Sequence, residues 1–168
     1  MRQNGHAVRV LVADGDAVSR AETATALRRS GLQVSEAESG PEAVEVACEE
    51  EPSAVVLDVN LPMLCGYIVC RRLRDAFGDT LAIVVVSADR TAPVDRVASL
   101  LIGADDFLAK PLSHDELVTR VTTLAGRTET LRARKRRPRQ GVQLLGVLPI
   151  TAQLLELASS GSIVGGGL

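Results

Sequence analysis

Aromatic side chains are nearly absent from this 168-residue chain, which holds two Phe, one Tyr and no Trp. The core must therefore be filled by aliphatic side chains, and no tryptophan can report ligand binding. Histidine is as scarce, and with two in the whole chain a zinc site is not expected. Three cysteines, Cys48, Cys65 and Cys70, are odd in number and form no C-x-x-C pair. They read as reduced thiols of a cytoplasmic protein, not as a disulfide framework. Cys65 stands beside Gly66, where an incidental thiol is a simpler reading than a redox sensor. No apolar run reaches the roughly 18 residues of a membrane-spanning helix. The opening stretch MRQNGHAVRVLVADGD has no apolar segment of signal-peptide length before its first acids. A soluble, cytoplasmic protein is expected, with no membrane partner.

What is present is a globular composition, 46% hydrophobic and 24% charged. It excludes wholesale disorder, and the length can bury a core without staples. The net charge of -2 conceals a division. Residues 1–126 hold 12 Lys and Arg against 19 Asp and Glu, a net of -7, whereas residues 127–168 hold 7 against 2, a net of +5. An acidic body followed by a basic segment implies two regions with different tasks.

The body alternates β-branched runs with helical spacing. AVRVLVA (7–13), SAVVL (53–57) and LAIVVVS (81–87) are apolar but for Arg9, Ser53 and Ser87, as strands buried on both faces must largely be. LQVSEA (32–37) and DDFLAK (105–110) are weaker strand candidates. Between them, Ala21, Ala24, Leu27 and Arg28, then Ala43, Val44 and Ala47, then Val94, Val97, Ala98 and Leu101 recur at helical steps. Ser39-Gly-Pro-Glu42 and Ser113-His-Asp-Glu116 match the capping box that opens a helix. Five strands alternating with five helices, joined by right-handed crossovers, predict an α/β fold: a five-stranded parallel sheet with helices on both faces. Such sheets bind ligands at the C-terminal ends of their strands. Four of the five strands end on Asp14, Asp58, Ser87 and Lys110. One polar residue at a strand end is a commonplace turn former, but these four are chemically complementary.

In residues 7–126 the motifs VRVLVADGDAVSR, AVVLDVNLPMLCGYIVCRRLR, IVVVSAD and GADDFLAKPLSHDEL resemble the receiver domain of two-component response regulators. The resemblance implies the flavodoxin-like strand order 2-1-3-4-5. It implies that Asp58 is a phosphoacceptor, taking a phosphoryl group from the phosphohistidine of a sensor histidine kinase. It further implies Mg²⁺ held by Asp14, Asp58 and the backbone carbonyl of Asn60, since attack of an anion on an anionic group needs its charges screened. Lys110 resembles the lysine that pairs first with the acids and then with the phosphoryl group. Ser87 resembles the switch hydroxyl, and Phe107 the aromatic residue whose rotamer follows it. Pro111 implies a cis Lys110–Pro111 bond. Such a protein is no enzyme in the ordinary sense, although it promotes its own phosphorylation and dephosphorylation. Its expected outputs are a homodimer and control of transcription.

One departure stands out. The family pattern has two adjacent acids after the first strand, and here Gly15 follows Asp14. Asp16 either supplies the missing metal contact or caps the first helix, the commoner role for Asp at that place. If it does not substitute, the alternative is a degenerate receiver, a protein-interaction module that does not switch by phosphate.

Residues 127–139, RTETLRARKRRPR, read as a basic linker prolonging the last helix as far as Pro138, or as a contact for DNA phosphates that is weak and indifferent to sequence. Residues 140–168 carry one charge and six glycines, with a short amphipathic helix expected over 152–158. They resemble at most the opening of a LuxR-type output domain, which would then be truncated.

Overall fold

The structure, a computed structural model, describes residues 8–88 and 93–136, apart from the side chains of 93–96. The last three residues of the expected linker and the whole expected tail, with its helix over 152–158, lie outside the described residues. The elements follow as β1 (Arg9–Ala13), α1 (Ala17–Arg29), β2 (Gln33–Ala37), α2 (Gly40–Glu50), β3 (Ala54–Asp58), α3 (Gly66–Phe77), β4 (Ala82–Ser87), α4 (Pro93–Ile102), β5 (Asp106–Ala109) and α5 (His114–Arg136). All pairings are parallel, and the sheet order is β2-β1-β3-β4-β5. The chain therefore has the expected α/β fold.

Strand alternation sends side chains to two cores. Leu11, Val55, Leu57, Ile83, Val85 and Phe107 pack with Ala43 and Ala47 of α2 and with Val69, Cys70 and Leu73 of α3. Val10, Val12, Val56, Val84, Val86 and Leu108 pack with Leu27 of α1 and with Leu117, Val121 and Ala125 of α5. β3 and β4 are buried at every position, which explains sequences that stay apolar until Asp58 and Ser87 at their ends. β2 is an edge strand and only Ala37 in it is fully buried, hence its weaker pattern.

The helix starts follow their chemistry only in part. Ser39 Oγ caps α2 by accepting the Glu42 N–H, but the Glu42 carboxylate accepts from Glu38 N–H instead of Ser39. Ser113 Oγ accepts the Glu116 N–H, while the Glu116 carboxylate turns forward to Arg120. α4 forms where the helical spacing predicts it, and among its described side chains Val97 and Leu101 are 54% and 80% exposed while Ser99 is fully buried.

The basic stretch is not all linker. α5 continues through Arg127 to Arg136. Arg132 lies under the N-terminal rim of the sheet, donating to the carbonyls of Thr80 (2.8 Å), Glu51 (2.9 Å) and Pro52 (2.7 Å). Thr128 Oγ1 donates to the Ser53 carbonyl at 2.8 Å, and the Ser53 hydroxyl donates to Glu129. Of the described basic residues here, Arg127, Arg134, Lys135 and Arg136 remain exposed.

Two outcomes follow. Arg132→Ala strands three backbone acceptors and should cost about 2–3 kcal/mol in urea unfolding, with Arg132→Lys recovering only part because it lacks the planar fork. Cys48 and Cys65 are exposed, whereas Cys70 is buried and its thiol is pushed up to about 11, chiefly by burial. A thiol reagent at pH 8 should therefore label two cysteines rapidly in the native protein and the third only on unfolding.

Candidate functional site

Because β1 and β3 are neighbours and β5 lies two strands from β3, the C-terminal rim brings Asp14, Asp58 and Lys110 together. Lys110 Nζ donates to Asp14 Oδ2 at 2.8 Å and, more closely, to Asp58 Oδ2. Asp14 and Asp58 are each 5% exposed. Asp58 Oδ1 accepts the Asn60 N–H at 2.6 Å. Asp14 Oδ1 accepts the Asp16 N–H at 2.9 Å, and its Oδ2 also accepts the Ser19 hydroxyl at 2.7 Å. Burial lowers the lysine's affinity for its proton, but hydrogen bonds and charge from Asp14 and Asp58 outweigh it, and the Lys110 pKa lies above its ordinary 10.5.

The remaining positions surround this triad. Ser87 is fully buried at the end of β4, and its carbonyl accepts the Lys110 backbone N–H at 2.9 Å. Ser87 registers with Ala109, and Val85 with Phe107, so Ser87 and Phe107 share one face of the sheet as diagonal neighbours. Phe107 is 6% exposed and belongs to the α2–α3 core. The Lys110–Pro111 bond is cis. Gly66 is required by closeness: a Cβ there would lie 2.2 Å from the Asp58 carbonyl oxygen.

The first loop differs from the expected pair of acids. Asp16 caps α1, its Oδ1 accepting the Ser19 N–H at 2.7 Å. A Cβ on Gly15 would lie 3.5 Å from the Asn60 carbonyl oxygen and 2.7 Å from Pro62 Cδ. That carbonyl thus borders the gap left by the missing side chain. Among the described residues no group of three Asp, Glu, His or Cys could hold a metal ion. Two carboxylates and a carbonyl remain, an all-oxygen set that fits Mg²⁺, which keeps several waters and needs few carboxylates.

Sequence reading missed Ser19 and Arg20. Arg20 donates to the Asp14 carbonyl at 2.7 Å and pairs with Glu36 at 3.5 Å. Their signal was available, since both lie in the turn that the Asp16 cap opens, facing back toward the strand end.

The family model of the response regulator receiver domain matches residues 10–122. The chain belongs to that family. It is similar to the response regulator MprA of Mycolicibacterium vanbaalenii, 44% identical over 121 residues, covering 72% of this chain and 52% of that protein. MprA of Mycobacterium leprae is 42% identical over 122 residues, covering 73% and 53%. The chain spans about half the length of these curated relatives. Among solved structures, the Francisella response regulator 1452 receiver domain matches with a TM-score of 0.68 and 31% identity, covering 72% of this chain and 98% of that one. The signal receiver domain of the putative response regulator NarL from Mycobacterium tuberculosis matches at 0.66 and 29%, covering 73% and 98%. Receiver domains are signalling modules that work with sensor histidine kinases and generally bind Mg²⁺ in an acidic pocket. No helix among the described residues of this receiver is long and apolar enough to cross a membrane.

Removing the ammonium from this receiver leaves two buried carboxylates facing one another. Lys110→Met should therefore lose about 2–4 kcal/mol without divalent cations, and Mg²⁺ should return part of it. The raised lysine pKa adds a pH signature. Its stabilising share is complete below about pH 10.5, the unfolded value, and is lost as pH rises through the higher folded value. Alkaline unfolding curves of the wild type should show that loss, and those of Lys110→Met should not.

Proposed function

We propose that this receiver accepts a phosphoryl group on Asp58 from the phosphohistidine of a sensor histidine kinase. The lysine bridge between Asp14 and Asp58 is the observation that carries this reading. Among the described residues Asp14 has three donors and Asp58 has two, so Asp58 keeps more lone-pair density for attack. A carboxylate oxygen of Asp58 bonds to phosphorus, the phosphorus–nitrogen bond breaks, and the imidazole departs with the electron pair and regains a proton. Asp14, Asp58 and the Asn60 carbonyl would hold Mg²⁺, whose chemistry is to screen the two meeting negative charges. Asp16 keeps its cap and adds negative charge at the rim.

Lys110 then pairs with the new phosphoryl oxygens, and Ser87 hydrogen-bonds one of them. Ser87 moving inward opens space for Phe107 on the same face of the sheet, which alters the surface of α4, β5 and α5. Exposed Val97, Leu100 and Leu101 suit that surface to dimerisation. In a cytoplasmic response regulator this would serve transcription. Residues 7–126 would be the receiver and 127–139 a basic connector, helical to Arg136, that touches DNA phosphates weakly. Residues 140–168 would belong to an output region. Gly15 favours a second reading, a degenerate receiver that binds partners without phosphate chemistry.

Incubation with acetyl phosphate and Mg²⁺ discriminates between the two. Intact-mass spectrometry should show a gain of about 80 Da, one phosphoryl group, that Asp58→Asn abolishes. No gain under saturating donor would overturn the phosphoacceptor reading and favour the degenerate module.

A further inference from the structure

The Asp14 carboxylate is unusually well supplied with donors from its own chain. It offers about four lone-pair sites, and three are filled: by the Asp16 N–H at Oδ1, and by Lys110 Nζ and the Ser19 hydroxyl at Oδ2. The first of these is backbone, and the second is the bridge to Asp58. The hydroxyl alone is free to leave, since it rotates and can serve as donor or acceptor. Ser19 does not need it for the helix, because its backbone N–H makes the bond to the Asp16 cap.

We propose that Ser19 is a positioning residue that sets the divalent-cation affinity of this pocket by competing, as a donor, for Asp14 Oδ2. The inference rests on the Mg²⁺-dependent reading given above. Gly15 brings no second carboxylate, so Asp14 is the first loop's main offer to a cation, and a donor bound to it is felt in full. A cation approaching Oδ2 must break the hydroxyl's bond, and one approaching Oδ1 finds a single lone pair left. Hydrogen bonds to an ionised acceptor are among the stronger ones, so this competition weakens the site several-fold. The hydroxyl keeps Asp14 oriented while the pocket is empty and yields only when the cation outbids it.

The test is Mg²⁺ titration of the full chain by calorimetry and by amide NMR shifts, with wild type, Ser19→Ala, Ser19→Cys, Ser19→Thr and Gly15→Asp. Ser19→Ala should tighten the dissociation constant about three- to tenfold. Ser19→Cys, a weaker donor of similar size, should fall between, and Ser19→Thr, which restores the hydroxyl, should match wild type. Affinity unchanged or weakened in both the Ala and Cys variants, with dispersed spectra, overturns the inference; so does a Thr variant that tightens like Ala. If wild type binds Mg²⁺ and accepts phosphate while the series is flat, this inference alone falls. If neither wild type nor Gly15→Asp binds Mg²⁺, the cation reading falls and takes this inference with it.

Discussion

Two carboxylates set side by side at the ends of adjacent strands, each almost removed from water, repel one another unless a cation lies between them. The ammonium of Lys110 is that cation, and much of the architecture delivers it. Asp14 and Asp58 adjoin because β1 and β3 pair directly in the sheet. Lys110 comes from β5, two strand spacings beyond β3, a distance of roughly 10 Å. Only a long side chain crosses that gap, and it crosses the end of β4. There the lysine's own backbone is tied to the Ser87 carbonyl. The bridge therefore joins positions 96 and 52 residues apart in sequence. It exists only when all four strands are in register.

The same bridge explains why the first loop matters so much. Two carboxylates and one ammonium leave a single net negative charge, and a pocket with a second first-loop acid would carry two. Gly15 thus changes the electrostatics of the site without disturbing its framework. The Asp16 cap, the Arg20 contact to the Asp14 carbonyl and the approach of Gly66 to the Asp58 carbonyl are all in place. Framework and charge are separable here, and the second has moved while the first has stayed.

The strands were legible because burial on both faces leaves little room for polar residues in β1, β3 and β4 between the exposed Arg9 and the strand ends. Their ends were legible because charged and hydroxylic residues interrupt those runs abruptly. The strand order came from family resemblance, since alternation alone cannot order strands. α4 was legible as a helix but its covered face was not: Val97 and Leu101 are exposed, and periodicity measures amphipathicity without saying which face is covered. The basic stretch looked like solvated connector, yet Arg132 is mostly buried under backbone carbonyls, contacts that leave no pattern in sequence. Ser19 was overlooked although the Asp16 cap marks the turn that holds it. Its hydroxyl gains meaning only from an aspartate in the preceding loop and a lysine on the far side of the sheet.

Arg132 also bears on which parts of the chain are free to change in length. In α/β sheets the loops at the N-terminal edges of the strands lie away from the ligand site, and as surface connections they ordinarily tolerate insertions. Here one guanidinium holds the carbonyls of Glu51 and Pro52 from one such loop and that of Thr80 from another. An extra residue in either loop would shift a carbonyl by more than the length of a hydrogen bond. The rim opposite the Asp14–Asp58 pocket is thereby held in length at these two loops, and insertions are left to connections that Arg132 does not touch.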